Sequence, residues 1–105
     1  MSGKDRRILE QFASAVRERF PQARIWAFGS RTTGQHTKES DLDVCIVVPG
    51  LTEAKDRAIM RIAWRVGFEN DRVVSTVTYS QDEFERGPCS VSTLVQGVLH
   101  HGVPA

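Results

Sequence analysis

The chain reads as an α/β domain, a small mixed sheet of three or four strands with helices packed on it, in the order helix, strand, strand, helix, strand, helix. Three observations predict this. Apolar residues recur at helical spacing through 4–20 and again after Thr52; short apolar runs at 23–28 and 42–48 have strand length; and a segment rich in β-branched residues, DRVVSTVTYS, covers 71–80.

In the first segment Ile8, Leu9, Phe12, Ala15, Val16 and Phe20 form one stripe, while Lys4, Arg6, Arg7, Glu10, Arg17 and Glu18 lie mostly on the other side. Pro21 ends this helix, because a proline disfavours helical backbone at the residue before it. Ala23 to Phe28 follows as a buried strand with Trp26 in the core. Thr32 to Glu39 is a polar loop, and Leu42 to Val48 is a second strand closed by Pro49-Gly50. Thr52 caps the next helix, with Glu53 in its first turn. Its apolar stripe is Ala54, Ala58, Ile59, Ile62, Ala63 and Val66, and Gly67 is its expected stop. After the third strand, Gln81 to Arg86 makes a helical turn and Gly87-Pro88 a break. A last helix then runs from the cap Ser90 to His100-His101-Gly102, with Val91, Leu94, Val95, Val98 and Leu99 as its apolar face.

Composition narrows the function classes. At 105 residues, residues 1–105 are expected to form one domain, with 40% hydrophobic and 26% charged residues as in an ordinary soluble protein. A formal net charge of +1 gives no basic field, so nucleic acid is not an expected partner. Cys45 falls in a strand and Cys89 in a loop, without metal-ligand spacing. Free thiols in a reducing, cytoplasmic setting are therefore expected rather than a disulfide, with Cys45 serving as packing. No apolar segment approaches a membrane span, and the N-terminal MSGKDRR lacks the apolar core of a signal peptide.

The chemistry concentrates between Phe28 and Val48. An apolar run ends in Gly29-Ser30, a polar loop follows, and Asp41 and Asp43 open the next run. Residues two apart on a strand project from the same face, so the two carboxylates are placed to share a divalent cation that relieves their repulsion. Mg²⁺ prefers such hard oxygen ligands and is commonly completed by water and substrate phosphates. Gly29 allows close backbone approach to a phosphate. If the residues after it begin a helical turn, their free N–H groups face the anion, and Ser30 adds a hydroxyl. Arg31 and Lys38 are cations beside this loop. A Gly-Ser pair alone is most often a turn, and an Asp-x-Asp pair a strand start. Their conjunction between two apolar runs has few structural reasons to arise. His36 reads as a solvated loop residue. His100 and His101, adjacent on a helix and pointing different ways, read as a helix end favoured by the dipole rather than a metal tract.

Gly29-Ser30-Arg31 with Gly34, followed by Ser40-Asp41-Leu42-Asp43 at the head of an apolar strand, resembles the signature of the minimal nucleotidyltransferases of the polymerase-beta-like superfamily. The resemblance implies that family's fold and the transfer of a nucleotide, usually AMP from ATP, to a hydroxyl. It assigns Asp41 and Asp43 as catalytic residues and Mg²⁺ ligands, and Gly29, Ser30 and Arg31 to the nucleotide's phosphates. Members of the family are often the small partner of a helical HEPN protein in toxin–antitoxin pairs. The implied partners are thus ATP and a HEPN-type protein, with a homodimer also compatible, and the second reading is a non-catalytic or weakly catalytic antitoxin-type binding subunit.

The family usually carries a third acidic residue on the next strand, and aligning the strand-to-helix passage Tyr79 to Phe84 puts Ser75 there. A serine is a poor base and no anionic ligand at neutral pH. Asp71, the nearby substitute, is four residues earlier, roughly 13 Å along an extended strand.

Overall fold

The computed structural model describes residues 1–34, 40–87 and 92–105. In chain order the elements are α1 (Gly3–Arg19), β1 (Arg24–Phe28), α2 (Ser30–Thr33), β2 (Leu42–Val48), α3 (Glu53–Glu69), β3 (Val74–Ser80), α4 (Gln81–Glu85), α5 (Thr93–His101) and β4 (Val103–Pro104). The strands form a mixed sheet in the order β3-β2-β1-β4. β1 runs antiparallel to β2 and to β4, whereas β2 and β3 are parallel, with α3 as their crossover. The predicted α/β class and mixed sheet are what the chain adopts.

β2 is the spine. Its side chains alternate between two apolar environments, as strand geometry requires. Leu42, Val44, Ile46 and Val48 join Ile8, Leu9, Phe12 and Val16 of α1 and Ile59, Ile62 and Val66 of α3 in the main core. Cys45 and Val47 face the other way, onto Phe84 of α4 and Val95 and Val98 of α5, with Trp26, Phe28 and Tyr79 packed around them. The result is three layers: α1 and α3, the sheet, then α4 and α5. Full burial of one large side chain such as Phe12 contributes roughly 1.5–3 kcal/mol, which is why the apolar stripes dominate the arrangement. Trp26 belongs to the smaller cluster and stacks on Phe84 at 5.4 Å.

Local chemistry sets the ends of the elements. Ser2 and Thr52 accept hydrogen bonds from the backbone N–H of Asp5 and Lys55 and so cap α1 and α3. Ser80 and Glu83 close a capping box on α4. The structure corrects several expected boundaries. α3 passes through Gly67 to Glu69, because Gly67 serves a close approach and not a stop: a Cβ there would stand 2.3 Å from the carbonyl oxygen of Arg72. β3 begins at Val74, since Asp71 takes a left-handed conformation (φ 54°) in the turn that delivers the strand. α5 is capped by Ser92, while the expected cap Ser90 lies outside the described residues, as does Cys89. β4, pairing through Trp26↔Pro104 and Ala27↔Val103, was not anticipated. Among the described residues, no helix is long and apolar enough to cross a membrane.

Candidate active site

Gly29 leaves β1 with φ 83° and ψ −162°, a conformation that only glycine adopts without strain, and caps the single turn α2. The polar loop begins with this helical turn, on which the phosphate reading of Gly29-Ser30 depends. The β1/β2 register sets Phe28 opposite Asp43, which brings the Asp43 side chain against Gly29. A Cβ on Gly29 would stand 2.6 Å from Asp43 Oδ2, so the glycine is required by the carboxylate as well as by the backbone.

Asp43 shares its strand face with Cys45 and Val47, the face that carries α4 and α5, and Asp41 precedes it by one pleat. Asp41 is exposed and Asp43 half-buried. Burial, and then the negative charge of Asp41, push the Asp43 carboxyl above its ordinary 3.8. Two hard oxygen donors that repel one another, one exposed and one half-buried beside a glycine turn, suit a divalent cation such as Mg²⁺, which relieves the repulsion. No group of three or more His, Cys, Asp or Glu side chains able to hold a metal occurs among the described residues.

The β2/β3 register places Ser75 directly beside Asp43, and Ser75, Val77 and Tyr79 share the face of Asp43, Cys45 and Val47. The neighbour of Asp43 on the parallel strand is therefore a hydroxyl. Asp71 is exposed in the preceding turn, off the strand, and is no substitute. His36 and Lys38 lie outside the described residues.

Arg31, expected at the phosphates, turns its side chain into the protein. Arg31 is 3% exposed, its Nη1 donates to Asp5 Oδ2 at 3.0 Å, and its Nε donates to the carbonyl of Ser40 at 2.8 Å. Asp5 is fully buried and also meets Arg72 Nε at 3.3 Å, an ion pair whose angle is too poor for a hydrogen bond. Burial pushes the Asp5 carboxyl up, but the hydrogen bond and charge of Arg31 and the charge of Arg72 outweigh it and hold it below 3.8. This network ties α1, α2, the residue before Asp41 and the approach to β3 together. Its signal in the sequence was the place of Asp5 at helical spacing with Ile8, Leu9 and Phe12, an acid on the apolar stripe.

Two clefts open next to neighbours of the carboxylates, although neither is lined by Asp41 or Asp43 themselves. One, of about 380 Å³, lies between Gly29-Ser30 and α5 and includes Thr93, Gly97 and His101. The other, of about 980 Å³, opens along α3 and the start of β3 and includes Ser40 and Ser75. Cys45, buried on the carboxylate face, has its thiol pushed up to about 12 by burial and is inert packing.

A fold of this topology with a Gly-Ser turn against an Asp-x-Asp strand defines a class of transferase domains. The nucleotidyltransferase domain family matches residues 9–98, and the chain belongs to that family. Among solved structures it is similar to a toxin–antitoxin crystallised with AMP-PNP, at 22% identity and a TM-score of 0.63 over 90% of this chain and 69% of the other. It is likewise similar to the MntA–HpeT toxin–antitoxin in a form with two Asp-to-Glu substitutions, at 19% identity and a TM-score of 0.63 over the same shares. At these identities the likeness concerns the fold. No curated protein matches the chain.

Proposed function

We propose that this chain is a Mg²⁺-dependent nucleotidyltransferase that moves AMP from ATP to a hydroxyl on a partner protein. The observation that carries the reading is the contact of Asp43 with the Gly29 turn: the candidate metal ligand and the candidate phosphate turn form one surface. Asp41 and Asp43 would hold the cation, which when bound supplies charge neutralisation at the triphosphate. Gly29 and Ser30 seat the phosphates with backbone N–H groups and a hydroxyl. The acceptor oxygen forms a bond to the α-phosphorus as the bond to the β-phosphate oxygen breaks, and pyrophosphate leaves with that electron pair. The acceptor proton passes to water, since Ser75 is no base at neutral pH.

Arg31 contributes by position, holding the Ser40 carbonyl and hence the approach to Asp41, rather than by touching phosphate. The toxin–antitoxin neighbours support a protein partner, and a HEPN-type helical protein is the acceptor we favour. Ser75 beside Asp43 favours a second reading, a weakly catalytic or non-catalytic antitoxin-type subunit that neutralises its partner by covering it. Co-expression with the product of the adjacent reading frame separates the two. Intact mass spectrometry is expected to find AMP added to that product with the wild type and not with Asp41→Asn/Asp43→Asn. An unmodified but still neutralised partner would establish the binding subunit instead.

A further inference from the structure

Among the described residues, most of the large apolar side chains that stand exposed line the cleft along α3 and the start of β3. On α3, Met60, Trp64 and Phe68 follow one another at helical spacing and are 53%, 72% and 77% exposed, and Val73, just before β3, is 63% exposed. Trp64 and Phe68 stack on each other with ring centroids 5.5 Å apart, so the ridge is already ordered without a partner. Isolated apolar residues on a surface are ordinary, but a contiguous ridge marks an interaction site.

Three further observations say what covers it. The first is the sheet edge beneath the ridge. Among the described residues β3 pairs with β2 alone, so the outward backbone groups of Val74, Thr76 and Thr78 meet no further strand, while the N–H of Ser80 donates to Glu83, and residues 73–80, VVSTVTYS, contain no charge and no proline. Edge strands are usually protected by such residues, and this one is left fit for strand addition. The second is charge. Arg57, Arg61 and Arg65 form the row on the far flank of the ridge, all exposed, where Arg61 and Arg65 face Glu18 and Arg19 of α1, at the i, i+4 spacing where like charges repel. Only Arg65 approaches an acid on its own helix, Glu69, at 3.9 Å. A cationic row beside an apolar ridge is complementary to an apolar segment flanked by acids. The third is continuity: the groove between ridge and strand includes Ser40, which precedes Asp41, and Ser75, which neighbours Asp43. Sheet order puts Gly29-Ser30 on the β1 side of the carboxylates and this groove on the β3 side.

We infer that the groove between Met60, Trp64, Phe68 and the free edge of β3 is the docking site for an extended, apolar, acid-flanked segment of a different protein, which adds a strand to β3 and presents its hydroxyl from the side opposite the phosphate turn. Where the segment docks stands on this surface; only what it presents rests on the nucleotidyl-transfer reading. Aromatics beside arginines also suit single-stranded nucleic acid, but a nucleic acid would leave the open backbone groups of β3 unused.

The test uses the full chain and the full-length product of the adjacent reading frame. Association is measured calorimetrically for the wild type, for Trp64→Glu/Phe68→Glu and for Arg57→Glu/Arg61→Glu, with Mg·ATP binding and thermal melting of each chain alone as controls. Both variants are expected to weaken association about a hundredfold while leaving Mg·ATP binding and melting close to wild type. Amide exchange across 74–80 is expected to slow in the wild-type complex. Asp41→Asn/Asp43→Asn should do the reverse, losing Mg·ATP and keeping the partner; if it keeps both, the nucleotide reading fails and the docking site stands. The docking site is overturned if the wild type does not bind that product, if binding survives both surface variants, or if β3 exchange is unchanged. It is equally overturned if the aromatic variant converts a wild-type homodimer to monomer, or abolishes binding of an oligouridylate, since the face then belongs to a second copy or to RNA.

Discussion

Two groups of charges meet around the start of β2 in this molecule, and they are built on opposite principles. Asp5, Arg31 and Arg72 are sequestered, matched in sign and held by short contacts, and the result is a carboxyl held below its ordinary value. Asp41 and Asp43 are partly open, alike in sign and close together, and the result is a carboxyl pushed above it. A protein that used charge only for stability would have no reason to keep the second group. The first is scaffolding that holds α1, α2 and the approach to β2 in place; the second is a pair of hard oxygen donors of the kind a divalent cation suits. Among the bonds that join them is the one from Arg31 to the Ser40 carbonyl.

The largest expected effect breaks the matched group. Arg31→Ala strips Asp5 of its closest partner and leaves a buried carboxylate with only the poorly aligned Arg72, a change expected to cost about 3–5 kcal/mol. Urea unfolding of the metal-free chain measures it. A cost below about 1 kcal/mol would mean that the pair is not a principal strut of the fold.

A smaller effect sharpens the unmatched group. Ser75→Asp sets a third carboxylate one strand spacing, about 4.8 Å, from Asp43. Without metal the variant is expected to lose up to about 1 kcal/mol, since like charges on neighbouring strands repel. With Mg²⁺ its melting temperature should rise more than that of the wild type. Thermal melts with and without Mg²⁺ decide, and an equal metal-induced rise in the two proteins would separate Ser75 from the metal site.

The smallest effect is in pH dependence, where the two groups carry opposite signs. Asp5 has a lowered value in the fold, so its contribution is fully present above the unfolded value near 3.8 and is lost as pH falls through the lower folded value. Asp43 has a raised value, so the native state binds its proton more tightly, and stability from this group declines as pH rises from 3.8 through the folded value. In the metal-free protein Asp43→Asn is therefore expected to flatten that decline and to melt higher than wild type at neutral pH, by up to about 4 °C. Melting curves across pH 3 to 7, the range bracketing the ordinary carboxyl value, test it. A variant that melts lower at neutral pH would mean that Asp43 is structural.

Much of the fold was legible because it follows from periodicity. The stripe Ile8, Leu9, Phe12, Val16 could only be a helix face, and Leu42 to Val48, with Pro49-Gly50 behind it, could only be a buried strand. The candidate site was legible as well, because Gly29-Ser30 and Asp41-x-Asp43 are local patterns with a shared chemical use. The inward packing of Arg31 was not legible because, on a strand-to-loop passage, a cation next to a phosphate turn and a cation pointing inward look the same. The sense of Arg31 is set by Asp5, 26 residues away, and distance in sequence hides the pair. Gly67 was misread for a similar reason, since the carbonyl of Arg72 that excludes a side chain there comes from the next turn of the chain. β4 was missed because a two-residue strand has no period to read.

The sequence by itself determined which residues are apolar and at what spacing, hence the helices, the strands, the class of the fold and the residue types gathered at the start of β2. Only the tertiary structure decided that Asp43 touches Gly29, that its neighbour across the parallel pair is Ser75, that Arg31 faces Asp5, and that Trp64 and Phe68 stand exposed beside the β3 edge. The physical reason is that spacing along a chain encodes which face a side chain takes on its own element, whereas what that face meets depends on strand register and helix packing. Those are settled collectively, by burial of the whole core, and no local stretch carries them.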